Sequence, residues 1–205
     1  ILWVNGPDSE KKAPSFVYTG KTRTLAEIKL EKPGTYRITA NEPEEYWSKL
    51  IEGKKTRWVP LAGDRLAGKK VEISKRYWSQ SVAYVTVGKP TNDVLASDSA
   101  PLELIPTEHP SQLSDNKPFR IRVLANGKPL SDREIEVFGD ATNGHEALFT
   151  VKSDSKGYAQ IRGLKPGRYL LSTRHEIPSP SDSKADAYVY SINLMVKVEA
   201  KTKSE

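Results

Sequence analysis

The sequence predicts an all-β chain built as two antiparallel, Ig-like β-sandwich domains in tandem. Three observations carry that expectation. Apolar and polar residues alternate in many short runs, the period of a strand with one buried face. Gly, Pro, Asn and Asp punctuate those runs at sandwich spacing. And one turn is written twice, as LEKPGTYRITA (30–40) and GLKPGRYLLST (163–173), once in each half.

In the first half SFVYTG (15–20), LAEIKL (25–30), TYRITA (35–40), KKVEIS (69–74) and SVAYVTVG (81–88) have the strand period. NEPEEYWSKLIEG (41–53) is the one stretch whose spacing suits a short helix. The second half supplies FRIRVLA (119–125), EIEVFG (134–139), ALFTVKS (147–153), YAQIRG (158–163), RYLLSTR (168–174) and YSINLMVKVEA (190–200). Turns are expected at Asn126-Gly127, at Ser155-Lys156-Gly157, and at the repeated Pro33-Gly34 and Pro166-Gly167. In the repeats proline presets φ near about −65° and glycine takes the positive φ of a type II turn. The strands that follow put Tyr36, Ile38 and Ala40, or Tyr169, Leu171 and Thr173, on one face. Each tyrosine ring is expected inward, with its hydroxyl partnered near the sheet edge. Residues 88–119, rich in Pro, Ser, Asp and Asn, read as a linker holding one apolar island, LELIP. The expected domains are therefore 1–100 and 101–205.

Composition narrows the function classes. The chain has no cysteine, which removes disulfides, thiolate metal sites and a Cys nucleophile. No run of about 18 apolar residues could form a membrane-spanning helix. ILWVNGPD is too short for a secretory leader and lacks its basic start, as a processed exported protein would. Net charge is uneven: residues 1–101 carry 17 Lys/Arg against 12 Asp/Glu, while the remainder is nearly balanced. All four tryptophans lie in the first half and all three histidines in the second, as two domains of different composition would arrange them.

A nucleophile elbow and a phosphate loop are both missing; LAGDRLAGKK lacks the Ser/Thr and the strand-to-helix setting of the latter. No enzyme is expected. Two binding chemistries are open. His109, His145 and His175 are expected in loops or at a strand end, each beside a glutamate (Glu108, Glu146 and Glu176), and Asp182 and Asp186 follow His175 and Glu176. Imidazole with carboxylates suits a divalent transition metal such as nickel, cobalt, zinc or copper. The plain alternative is three exposed or capping histidines and a solvated loop. Separately, Trp47, Trp58 and Trp78 interleave with Lys54, Lys55 and Arg57 in a basic segment. That mixture suits a glycan- or protein-binding face, and nucleic acid is disfavoured because acids are interspersed. A lysine-guarded sheet edge would look the same.

From Pro101 onward a resemblance adds to this reading. Pro101-Leu102-Glu103, His109-Pro110, RVLANGKPLSDREIEV (122–137), SDSKGYAQIRGLKPGRYLLSTRHE (153–176) and YVYSINLMV (188–196) resemble a bacterial family of domains of unknown function. That family is associated with periplasmic components of nickel/cobalt uptake systems. The resemblance implies an exported, periplasmic, non-enzymatic protein that handles those ions for a membrane transporter or envelope partner. ILWV with FVYTGK is similar to that family's mature start, where a His often directly precedes the first strand; this implies a further ligand just upstream of Ile1. Asp154, Gly157, Leu164, Pro166, Gly167 and Tyr169 also match the hairpin of transthyretin- and carboxypeptidase-regulatory-like sandwiches, which specifies fold and not function.

Overall fold

The structure is a computed structural model that describes residues 1–8, 10–115, 117–140, 146–179 and 184–200. Those residues are strands and loops, with three single-turn 3-10 segments at Gly63–Leu66, Asp93–Leu95 and Pro110–Gln112. The first half supplies β1 (Leu2–Asn5), β2 (Lys11–Lys12), β3 (Phe16–Thr19), β4 (Thr24–Glu27), β5 (Gly34–Asn41), β6 (Glu45–Glu52), β7 (Lys55–Val59) and β8 (Val71–Val87). The second supplies β9 (Glu103–Pro106), β10 (Phe119–Ala125), β11 (Lys128–Pro129), β12 (Glu134–Gly139), β13 (Phe149–Lys152), β14 (Tyr158–Ile161), β15 (Gly167–Pro178) and β16 (Ala187–Val198). The all-β antiparallel expectation holds.

A ten-stranded sheet runs β13-β12-β15-β16-β8-β5-β1-β2, with β6 also on β8 and β7 on β6. A four-stranded sheet, β11-β10-β14 with β9 on β10, packs against it. The core between them joins Ile135, Val137, Leu171, Ile192 and Leu194 of the large sheet to Leu104, Ile121, Val123, Ala159 and Ile161 of the small one. Val82 of β8 enters the same core. The pairings between these strands are antiparallel except one: β8 (Lys75–Ala83) runs parallel to β16 (Ala187–Met195). Across the boundary expected at residues 100 and 101, that pairing joins the halves in one continuous sheet. The β3–β4 hairpin is a separate two-stranded sheet.

Two local expectations are corrected. Residues 45–52 form β6 and not a helix. Their Trp47/Leu50/Ile51 spacing fits a helix, but Ser48 and Leu50 alternate into the interior and both edges of the strand find partners in β7 and β8. Tertiary pairing overrides a weak local preference here. The Pro-Gly pairs, for their part, do not make type II turns. Gly34 and Gly167 have φ of +140° and +158°, beyond the roughly +80° of that turn, and they open β5 and β15. Gly34 is needed for close approach: a Cβ there would lie 2.4 Å from Pro7 Cβ.

The repeated corner itself is present in both halves. Tyr36 and Tyr169 are buried, and each hydroxyl donates to the carbonyl four residues back, Lys32 O at 2.7 Å and Lys165 O at 2.9 Å. The lysine of K-P-G-x-Y therefore supplies a backbone acceptor that closes the corner.

The opposite face of β5 is polar and more deeply buried, with Thr35, Arg37 and Thr39 all inside. Arg37 pairs with Asp98 at 3.3 Å. Beyond it Glu103, fully buried, accepts hydrogen bonds from Ser97 Oγ at 2.6 Å and Asp98 N at 3.1 Å. Burial pushes the Glu103 carboxyl above the ordinary glutamate range, against the opposing pull of those two donors.

Tyr36→Phe and Tyr169→Phe should each lower stability by about 1 kcal/mol or more in urea unfolding, since Tyr169 loses one hydroxyl bond and Tyr36 two, its hydroxyl also accepting from Lys32 N at 2.9 Å; unchanged midpoints would show the hydroxyls contribute nothing. Because folded Glu103 holds its proton more tightly than the unfolded chain does, its contribution is present at low pH. It is lost as pH rises from about 4.5, the ordinary glutamate value, through the raised folded one. Glu103→Gln should flatten that loss in urea midpoints measured across the same range.

Candidate functional site

The face of the large sheet turned away from the core forms a groove of about 920 Å³. Its floor follows from strand alternation. Where Ile135, Val137, Leu171, Ile192 and Leu194 point inward, their neighbours Glu134, Glu136, Ser172, Arg174, Ser191 and Asn193 point outward. Register aligns them: Glu136 lies opposite Ser172, Ser172 opposite Asn193, and Arg174 opposite Ser191, which in turn faces Ser79 of β8. The floor thus crosses from second-half strands onto β8 through the parallel pairing.

The β6–β7 hairpin makes the aromatic wall. Trp47 and Trp58 lie on one face of it, because Lys49, two residues from Trp47, pairs with Trp58. Trp58 is 40% exposed. Trp47 is fixed by its indole N–H, which donates to Glu45 Oε2 at 2.8 Å. Tyr77, opposite Glu45, extends this wall toward the floor. Trp78 also borders the groove, and its ring meets Tyr190 edge-on at 6.1 Å. Charges along the groove are mixed: Lys152 lies 3.6 Å from both Asp132 and Glu134, with Glu42, Glu45 and Glu136 nearby.

The predicted site residues divide. Trp47, Trp58 and Trp78 come together at the groove. Lys54, Lys55 and Arg57 do not line it; they sit at the hairpin end, where Arg57 pairs with Glu52 at 3.0 Å. The groove therefore takes the tryptophans of the basic-aromatic segment without its cations.

The candidate metal ligands are spread out. His109 is buried; its Nε2 meets Thr91 O at 3.1 Å and Thr35 Oγ1 at 2.8 Å. Its Nδ1 accepts from Ser111 N at 3.1 Å, which makes it the cap of the 110–112 turn. Since a carbonyl can only accept, these partners assign the proton to Nε2. His175 is half-buried on β15; burial, reinforced by the Arg133 charge, lowers its pKa, and its Nδ1 has no hydrogen-bond partner among the described residues. Glu176 pairs with Lys75 at 2.7 Å, and Asp186 accepts from Ser74 N at 2.7 Å. His145 and Asp182 lie outside the described residues. Among the described residues no three His, Asp or Glu side chains gather where they could hold a metal ion.

Sequence reasoning missed the groove floor. The polar half of each alternating run was legible as a solvent face, but not that Glu136, Asn193 and Ser79 would share it.

A family model described as a domain of unknown function (DUF4198) matches residues 2–177. No curated protein matches the chain. Among solved structures, the D0-D1 domain of Intimin aligns over 97% of this chain and 81% of that one, at 12% identity and a TM-score of 0.27. A likeness that low carries no argument about fold or role.

His109→Ala should cost about 2 kcal/mol or more, since it leaves the buried Thr35 hydroxyl and the Ser111 N–H short of a partner. The loss in thermal unfolding should be the same with added Ni²⁺ and with a chelator. A loss seen only when metal is present would make His109 a ligand instead.

Proposed function

For a chain that belongs to the DUF4198 family of domains of unknown function, we propose the role of an exported, non-enzymatic protein that binds a glycan in the tryptophan-walled groove. The observation that carries this reading is the meeting of Trp47 and Trp58 with a floor of carboxylate, hydroxyl and amide side chains. Flat indole faces offer apolar contact to the C–H face of a sugar ring, while Glu136, Ser172 and Asn193 can accept from and donate to its hydroxyls. The volume falls within the range of small-ligand sites, roughly 300–1,000 Å³. Because the floor rests on rigid strands and Trp47 is already tied to Glu45, little ordering is needed on binding.

Transition-metal handling for nickel or cobalt uptake at the cell envelope is a second reading, with a membrane transporter as partner. Sequence resemblance supports it, as does one side chain. Burial favours the neutral His175 imidazole, and its Nδ1, itself buried, has no hydrogen-bond partner among the described residues; a metal requires a neutral imidazole with an unpaired nitrogen. Glu176, His145, Asp182 and Asp186 would be its companions in that case.

Trp47→Ala/Trp58→Ala should weaken retention on oligosaccharide arrays by about thirty-fold, the loss expected for two anchor residues. Ni²⁺ calorimetry should be unchanged in the same variant. Equal glycan retention by variant and parent would overturn the groove reading. A stoichiometric Ni²⁺ site abolished by His175→Ala would favour the second.

A further inference from the structure

The β3–β4 hairpin gathers four large apolar side chains that find no core. Phe16 is 59% exposed, Val17 49%, Tyr18 57% and Leu25 53%. The two strands pair only with each other, Phe16 opposite Glu27 and Tyr18 opposite Leu25. Phe16, Tyr18 and Leu25 therefore share one face, and Val17 lies on the other. A lone two-stranded ribbon is marginal in water. Exposing its largest apolar residues as well is an arrangement that favours contact with another surface.

Charge identifies that surface. The turn joining the strands carries Lys21 and Arg23, both exposed and neither in an ion pair among the described residues. Lys11, Lys12, Lys29 and Lys32 surround the base of the hairpin. Three of those four are occupied by Glu10, Glu31 and Asp8, and Lys11 lies over the Trp3 ring, so the uncompensated charge is concentrated at the tip. The strands themselves hold a single acid, Glu27, at the end away from the turn. Aromatic and aliphatic side chains beside unpaired cations are the composition of a segment that lies in a lipid headgroup layer.

We propose that this hairpin is a docking element for an anionic lipid bilayer surface. The outer edges of β3 and β4 carry backbone groups that need water, so the hairpin rests in the interfacial layer and does not enter the hydrocarbon. Phe16, Tyr18 and Leu25 supply apolar burial there, and Lys21 and Arg23 meet the lipid phosphates. No residue of the hairpin lines the groove.

The test is flotation of the full chain with vesicles of phosphatidylcholine, with and without phosphatidylglycerol. Binding to the anionic vesicles only, reversed by salt, is the expected result. Lys21→Glu/Arg23→Glu should weaken it more than about ten-fold, since each cation near such a surface is worth about five-fold. That pair is exposed and forms no ion pair among the described residues, so thermal unfolding of the variant should match the parent. Phe16→Ser/Tyr18→Ser/Leu25→Ser should also release the protein, with thermal unfolding and oligosaccharide retention unchanged. No association with anionic vesicles, or association equal on neutral ones, would overturn the proposal. So would concentration-dependent self-association abolished by the same serine variant, which would make a second copy the hairpin's occupant.

Discussion

The architecture depends on the parallel pairing of β8 with β16. A 17-residue strand exposes hydrogen-bonding groups along both edges, and each must find a partner or water. β8 divides its length: the early part takes β6 and the later part takes β5 on one edge, while its middle takes β16 on the other. Without that last pairing the first-half strands and the sandwich of the second half would share no sheet, and Val82 would lose its place in the core. Parallel pairs need a long crossover, and here nearly the whole second half of the chain lies between the partners.

The interface behind this pairing is polar to an unusual degree. Thr35, Arg37, Glu103 and His109 are all buried; Thr35, Arg37 and His109 link segments far apart in the chain, and Glu103 holds Ser97 and Asp98 of the stretch just before it. Arg37 Nε and Tyr84 Oη have no hydrogen-bond partner among the described residues. Burial correspondingly raises the Tyr84 phenol to about 12. Such groups add little to stability compared with apolar packing, but they reject alternative ways of placing the two halves. His109 illustrates the point, because one imidazole caps a turn in the second half and binds two threonines in the first.

The same alternation that makes the core makes the groove. Each of β12, β15 and β16 spends one face on the sandwich and presents the other as Glu, Ser, Arg or Asn, so a polar floor is the necessary complement of an apolar interior. The β6–β7 hairpin then raises two indoles beside that floor. Rigid strands hold both parts, which is why a site formed from two halves of the chain can be preorganised.

Much of the fold was legible in the residues. Period-2 patterning located most strands, and the doubled K-P-G-x-Y marked a corner that does close on a tyrosine hydroxyl in each half. The sequence by itself thus determined the all-β class, the inward and outward faces of most strands and the presence of a tryptophan cluster. These are consequences of local alternation and residue type, which act within a few positions. Tertiary structure alone decided that 45–52 is a strand, that Trp47 and Trp58 face Glu136 and Asn193, and that the nearby cations point elsewhere. It also decided that His109 is a structural tie apart from His175. Each of those outcomes depends on strand pairing between positions far apart in the chain. Pairing is selected by the total burial and hydrogen bonding of the whole sheet, which no local pattern encodes.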